Sequence, residues 1–195
     1  MSKLYFRYGA MNSGKSALLL QVANNYEERG MKVKIIKPSV DTKAEDCISS
    51  RIGLKRKVDY LIAEKDNLKS FLKETSKENI SCILVDEAQF LNSEQVDELF
   101  LFTKKYDTPV ICYGLRTDFK TNLFPGSKRL LELADVIEEL YTICRCGKRA
   151  KFNARIVDGK FVTTGEQIAI DNQHTVSYES LCGKCYLEKV LNIDC

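Results

Sequence analysis

The sequence predicts an α/β protein, with a parallel sheet flanked by helices and a small second unit after it. Three observations carry this. Short β-rich runs alternate with helical patterns from residue 3 to about residue 142, the signature of strands joined through covering helices. A glycine-rich stretch at 9–16 lies directly between the first apolar run and the first amphipathic pattern. Four of the eight cysteines fall into two close pairs near the end of the chain.

In chain order, Leu4-Tyr5-Phe6 reads as the first strand, and 15–29 as a helix stopped by Gly30. Val33-Lys34-Ile35-Ile36 is the second strand. The stretch 41–59 has no clear period, carries Arg51 and Lys55-Arg56-Lys57, and reads as a solvated loop. A helix at 67–74 precedes the strand Cys82-Ile83-Leu84-Val85. A helix at 94–103 follows, capped by Asn92 or Ser93, and then the strand Val110-Ile111-Cys112-Tyr113. A helix at 128–134 and a strand at 140–143 complete the first unit, 1–143. The second unit, 144–195, opens on Cys-x-Cys and continues into a hairpin at 152–163 turning at Asp158-Gly159. It closes on a polar stretch with the single His174 and on Cys-x-x-Cys.

Composition limits the function. The chain has 195 residues, 44% hydrophobic and 29% charged, which is ordinary for one domain with an appendage. A (β/α)₈ barrel typically needs about 250 residues. Thirty Lys and Arg against 27 Asp and Glu give +3, which leaves phosphorylated ligands open but is low for a dedicated duplex-DNA binder. No window approaches the roughly 18 apolar residues of a membrane span, and the N-terminus has no secretory pattern. The expectation is a cytoplasmic protein with no membrane or nucleic-acid partner. In a reducing compartment, paired cysteines point to metal rather than to disulfides.

Gly9-Ala10-Met11-Asn12-Ser13-Gly14-Lys15-Ser16 fits G-x₄-G-K-[ST] after a strand and before a helix. Its glycines let the backbone wrap a phosphate chain, and the helix N-terminus adds positive charge. Lys15 is placed to bridge phosphates and Ser16 to bind Mg²⁺. Ile83-Leu84-Val85-Asp86-Glu87 is an apolar strand ending in two carboxylates, as in a Walker B element. Asp86 suits Mg²⁺, and Glu87, alternating to the other side of the strand end, suits a general base toward a substrate. Cys144-x-Cys146 and Cys182-x₂-Cys185 have the layout of a zinc ribbon, with reduced core cysteines as the plainer alternative. His174 reads as a loop residue. Phe119 and Phe124 lie in a loop past a strand at the sheet edge, where they either wall a planar base or anchor the loop.

Taken together, Gly-Ala-Met-Asn-Ser-Gly-Lys-Ser at 9–16, Val-Asp-Glu-Ala-Gln-Phe at 85–90, Tyr-Gly-Leu-Arg-Thr-Asp-Phe at 113–119 and the four-cysteine ribbon resemble the type II thymidine kinases over essentially the whole chain. The resemblance implies a RecA-like P-loop domain and a zinc-held lasso closing over the nucleoside. It also implies transfer of the γ-phosphate of ATP to the 5′-hydroxyl of thymidine, with Mg²⁺ and structural Zn²⁺, in a homotetramer; deoxyuridine is expected to serve as well, because one methyl group in an apolar pocket is worth only about 1 kcal/mol or slightly more. By position, the family's proton acceptor falls on Glu87, and its ATP site on Gly9, Ala10, Met11, Asn12, Ser13, Gly14, Lys15 and Ser16 with Asp86, Glu87, Ala88 and Gln89. The base pocket falls on Phe119, Phe124 and the lasso tyrosine Tyr178. Lasso backbone contacts fall on Gln167, Ile168, Ala169, Ile170 and Asp171.

Two departures mark this chain. Its first knuckle has one spacer residue where two are commoner, and the stretch 170–178 runs about two residues long for the family. The competing reading is a P-loop ATPase coupled to a nucleic-acid or protein partner through its ribbon. A non-catalytic ribbon adaptor leaves Lys15, Ser16, Asp86 and Glu87 without a shared purpose.

Overall fold

The computed structural model describes residues 1–39, 46–167 and 175–194. The order is β1 (Leu4–Tyr8), α1 (Lys15–Glu27), β2 (Lys32–Pro38), β3 (Cys47–Ser49), β4 (Lys55–Lys57), β5 (Tyr60–Ile62), α2 (Lys69–Thr75) and β6 (Ile80–Val85). A 3₁₀ turn at Ala88–Phe90 leads to α3 (Ser93–Tyr106), β7 (Val110–Gly114), α4 (Pro125–Leu133), β8 (Val136–Glu139), β9 (Thr142–Ile143) and β10 (Arg149–Ala150). Then come β11 (Phe152–Val157), β12 (Lys160–Val162), β13 (Val176–Leu181) and α5 (Gly183–Val190).

The main sheet runs β5-β2-β6-β7-β1-β8, with every pair parallel. Its central strands are near-continuous apolar runs because helices bury both faces. Side chains alternate across β6. Ile83 and Val85 join the core under α3 and α4, whereas Cys82 and Leu84 join Leu19, Leu20 and Ala23 of α1 on the opposite face. Helix α3 starts on a capping box, where Asn92 Oδ1 accepts from Gln95 N at 2.8 Å and Gln95 Oε1 from Asn92 N at 3.1 Å. A third cluster packs Cys144, Cys182, Cys185, Leu181 and Tyr186 against β11 and β12. The expected turn is present, with Asp158 and Gly159 both at positive φ between β11 and β12.

Three local expectations are corrected. The strand expected at 140–143 is displaced: β8 at Val136–Glu139 is the sheet's edge strand, paired to β1, and Thr142–Ile143 pairs instead with Arg149–Ala150. An edge strand needs few apolar residues, and the Leu140-Tyr141 run gave the stronger local signal. Helix α4 begins at Pro125, whose missing N–H is harmless in a first turn. The stretch read as a solvated loop contains the β3–β4 hairpin, whose Ile48 and Val58 are buried against α1. Two buried residues in a basic stretch are too few to set a period.

Candidate active site

The phosphate loop leaves the C-terminal end of β1 and returns as α1, at the edge where open α/β sheets bind ligands. Gly14 sits before α1 at φ +77°, a conformation that side chains resist. Lys15 Nζ curls into the loop, 2.9 Å from Ala10 O and 3.2 Å from Gly9 O. Burial pulls its ammonium below the usual lysine value. The charges of Glu87 and Asp86 oppose that fall, and the nearby Arg51 adds to it. An anion held in the loop would oppose that fall, because an opposite charge favours the ammonium.

At the end of β6, the buried Asp86 faces Ser16, whose Oγ lies 3.1 Å from Asp86 Oδ2. Burial, then the charge of Glu87, pushes the Asp86 carboxyl up to about 7, while the Ser16 hydrogen bond pulls the other way. This carboxylate is under-compensated by the protein. A hard cation on Ser16 and Asp86 fits the donor chemistry.

Glu87 is aimed by a different device from the strand alternation expected for it. β6 ends at Val85, and Glu87 takes a left-handed conformation, φ +51°. For a residue with a side chain this is uncommon, and it swings the carboxylate off the strand path. Gln89, fully buried, holds it there: Nε2 donates to Glu87 Oε2, and Oε1 accepts from Leu115 N at 3.0 Å.

Two clefts meet here. One, of about 370 Å³, is lined by Met11, Asn12, Gly14, Lys15, Ser16 and Glu87, with Ser49 to Ile52 of the hairpin across from them. The other, of about 100 Å³, brings together Phe119, Phe124, Gln167 and Tyr178 with Phe90, Thr117, Asp118 and Asn153. Met11 and Leu115 line both. Of the positions expected to contact a base, Ile168, Ala169, Ile170 and Asp171 lie outside the described residues, as does His174.

The smaller cleft is held from behind by residues that the sequence did not single out. Arg155 is 3% exposed. Its guanidinium lies 3.8 Å from the Phe119 ring centre and donates to Tyr178 Oη at 2.9 Å, Glu166 O at 2.7 Å and Gln167 O at 2.9 Å. Asn153 Oδ1 accepts from Met11 N at 2.8 Å, and its Nδ2 donates to Thr117 O at 3.2 Å, tying β11 to the phosphate loop. Polar residues at alternate positions of an otherwise apolar strand were the available signal.

The cysteines converge. The sulfurs of Cys144, Cys146, Cys182 and Cys185 all lie within 4.8 Å of one another. At about 2.3 Å per zinc–sulfur bond a tetrahedral site sets its thiolates a little under 4 Å apart, so this all-sulfur set fits zinc with small adjustment. The one-residue spacer of the first knuckle is no obstacle to convergence.

The family model described as thymidine kinase matches residues 2–186. The chain belongs to the thymidine kinase family. It is 45% identical over 190 residues to the thymidine kinase of Enterobacteria phage T4, covering 96% of this chain and 97% of that protein. It is 46% identical over 191 residues to the thymidine kinase of Shewanella oneidensis, covering 96% and 98%. To a thymidine kinase of Legionella pneumophila it is 47% identical over 186 residues, covering 93% and 88%. Among the described residues, no helix is long and apolar enough to cross a membrane.

Proposed function

We propose that this member of the thymidine kinase family transfers the γ-phosphate of ATP to the 5′-hydroxyl of thymidine, giving thymidine 5′-monophosphate for DNA synthesis. One observation carries the reading: a cleft built on the phosphate loop and an aromatic cleft join at Met11 and Leu115, with Glu87 on the wall of the first. Residues 9–16 and 86–89 take the triphosphate. The loop amides, the α1 N-terminus and Lys15 offset its charge, which is most of what phosphoryl transfer asks of a protein. Ser16 and Asp86 would hold Mg²⁺, which would supply positive charge against the charge developing in transfer.

The nucleoside base occupies the aromatic cleft between Phe124 and Tyr178, with Phe119 behind and Gln167 at the rim. Backbone groups at 168–171 complete its recognition. Glu87 accepts the proton as the 5′-oxygen attacks phosphorus. Deoxyuridine is also a substrate, since one methyl group in an apolar pocket is worth about 1 to 3 kcal/mol. Residues 144–195 form a lasso unit set by zinc on the four cysteines, apart from the ATP-binding unit at 1–143. The active species is a cytoplasmic homotetramer with no nucleic-acid partner.

An ATP-phosphotransfer screen over the four deoxynucleosides and their ribose analogues tests the reading. Phosphorylation of thymidine and deoxyuridine but of no purine is expected. ATP hydrolysis that responds to polymer and not to nucleoside would restore the coupled-ATPase alternative.

A further inference from the structure

The β3–β4 hairpin carries an arginine to the mouth of the phosphate cleft. Arg51, at its tip, lines that cleft with Lys15, Ser16 and Glu87. The hairpin is held on the helix that begins at the phosphate loop. Ile48 and Val58, 1% and 7% exposed, pack with Leu19, Leu20 and Ala23 of α1. Arg56 grips Glu27 of the same helix with two hydrogen bonds of 2.7 Å. The tip is closed by Ser50, whose N donates to Leu54 O at 2.8 Å and whose Oγ accepts from Leu54 N at 3.0 Å. The arm therefore has a fixed bearing on the loop.

Charge gives the second observation. Among the described residues Arg56 is paired with Glu27 and Lys57 with Asp46, whereas Arg51 has no carboxylate partner. It shares the cleft with Lys15, another cation, which it repels. Glu87, on the wall of the same cleft, and Asp86 offset part of that repulsion. A triphosphate chain between them reverses the sign of that interaction. A planar guanidinium, permanently charged, is the group best suited to bridge two phosphate oxygens.

We propose that Arg51 is a catalytic residue, an arginine supplied in cis that contacts the γ-phosphate and stabilises the charge on its oxygens during transfer. The inference rests on the reading of this cleft as the triphosphate site. In the step it assists, the bond from γ-phosphorus to the bridging oxygen of ADP breaks, and ADP leaves with that electron pair. The 5′-oxygen of the nucleoside forms the new bond, and its proton passes to Glu87. An arginine at this point of a phosphotransferase is worth about 10³ to 10⁵ in rate elsewhere. The exposed position of Arg51 at the cleft mouth sets the expectation nearer the lower value.

Arg51→Ala and Arg51→Lys, with wild type, are assayed for kcat, thymidine KM and ATP Kd. The expected result is a kcat loss of about 10³-fold for Arg51→Ala and a smaller loss for Arg51→Lys, with thymidine KM and melting temperature little changed. Free guanidinium at non-denaturing concentration is expected to restore part of the Arg51→Ala rate and none of the Lys15→Ala rate. Wild-type kcat in Arg51→Ala, or a loss confined to ATP Kd, overturns the proposal. If the wild type itself transfers no phosphate to thymidine, the functional reading falls first, and the arginine falls with it.

Discussion

Gln89 donates a hydrogen bond to Glu87 and, through its other amide atom, accepts one from the Leu115 amide. One fully buried side chain thus fixes the carboxylate against the loop that walls both clefts. Gln89→Glu keeps the acceptor for Leu115 but faces Glu87 with an oxygen. With its orienting donor replaced by a repelling group, Glu87 is expected to leave its productive position. A kcat loss of about tenfold or more with thymidine KM within a fewfold is the expected split. Equal rates for variant and wild type would show that Gln89 has no positioning role.

Glu87→Gln removes the proposed proton acceptor while preserving shape. Loss of a general base costs about 10² to 10⁴ in rate, so kcat is expected to fall in that range with ATP and thymidine affinities nearly unchanged. Single-turnover phosphorylation titrated with Mg²⁺ is the measurement. A strong shift in Mg²⁺ dependence would reassign Glu87 to the metal.

The strands that set the site were legible because β6 and β7 are apolar on both faces and the loop after β1 has a phosphate-binding pattern. Alternation along β6 does not set the position of Glu87: a left-handed turn and the Gln89 hydrogen bond do, and no sequence period carries either. The β3–β4 arm was hidden because, among its described residues, only Ile48 and Val58 bury apolar side chains in a basic stretch. Arg155 was hidden because its partners, Tyr178 and the backbone at 166–167, are distant in sequence and meet only through β11 and β13.

The Mg²⁺ site proposed at Asp86 is expected to depend on pH. Its folded pKa, about 7, lies above the unfolded carboxyl value of about 3.9, so between these limits the folded protein binds the extra proton. The sign follows: Asp86 favours the fold at the acid end, and that contribution is lost as pH rises through about 7. A cation on Asp86 must displace the proton. Apparent Mg²⁺ affinity, read from turnover at saturating ATP and thymidine, is therefore expected to rise by up to about tenfold per pH unit until pH passes about 7. Asp86→Asn should bind Mg²⁺ weakly and lose this dependence; a variant as pH-dependent as wild type would place the titration elsewhere.

Zinc should stabilise one end of the molecule before the other. Cys182 caps α5 and follows β13, so one ligand joins both elements to the cluster. Chelation or Cys182→Ser is expected to strip hydrogen-exchange protection from β11, β13 and α5 while β6 and β7 keep theirs. Zinc analysis in reducing, chelator-free buffer should give one ion per chain. A metal-free wild type with full protection in α5 would count decisively against the site.

Arg155 ties the aromatic cleft to the backbone at 166–167. Its guanidinium is spent on the Tyr178 hydroxyl, the Glu166 and Gln167 carbonyls and the face of Phe119, and no lysine can reproduce that planar fork. Arg155→Lys keeps the charge but makes fewer of these contacts at once. Gln167, Tyr178 and Phe119 should then hold their cleft-lining positions a smaller fraction of the time, and apparent affinity falls in proportion to that fraction. Thymidine KM is expected to rise about tenfold or more while ATP Kd stays within a fewfold, because the phosphate cleft shares only Met11 and Leu115 with the pocket that Arg155 supports. Arg155→Met, which leaves the carbonyls of Glu166 and Gln167 without these donors, should be worse than Arg155→Lys in both KM and melting temperature. If both variants changed ATP and thymidine binding equally, Arg155 would be supporting the whole fold rather than the nucleoside pocket.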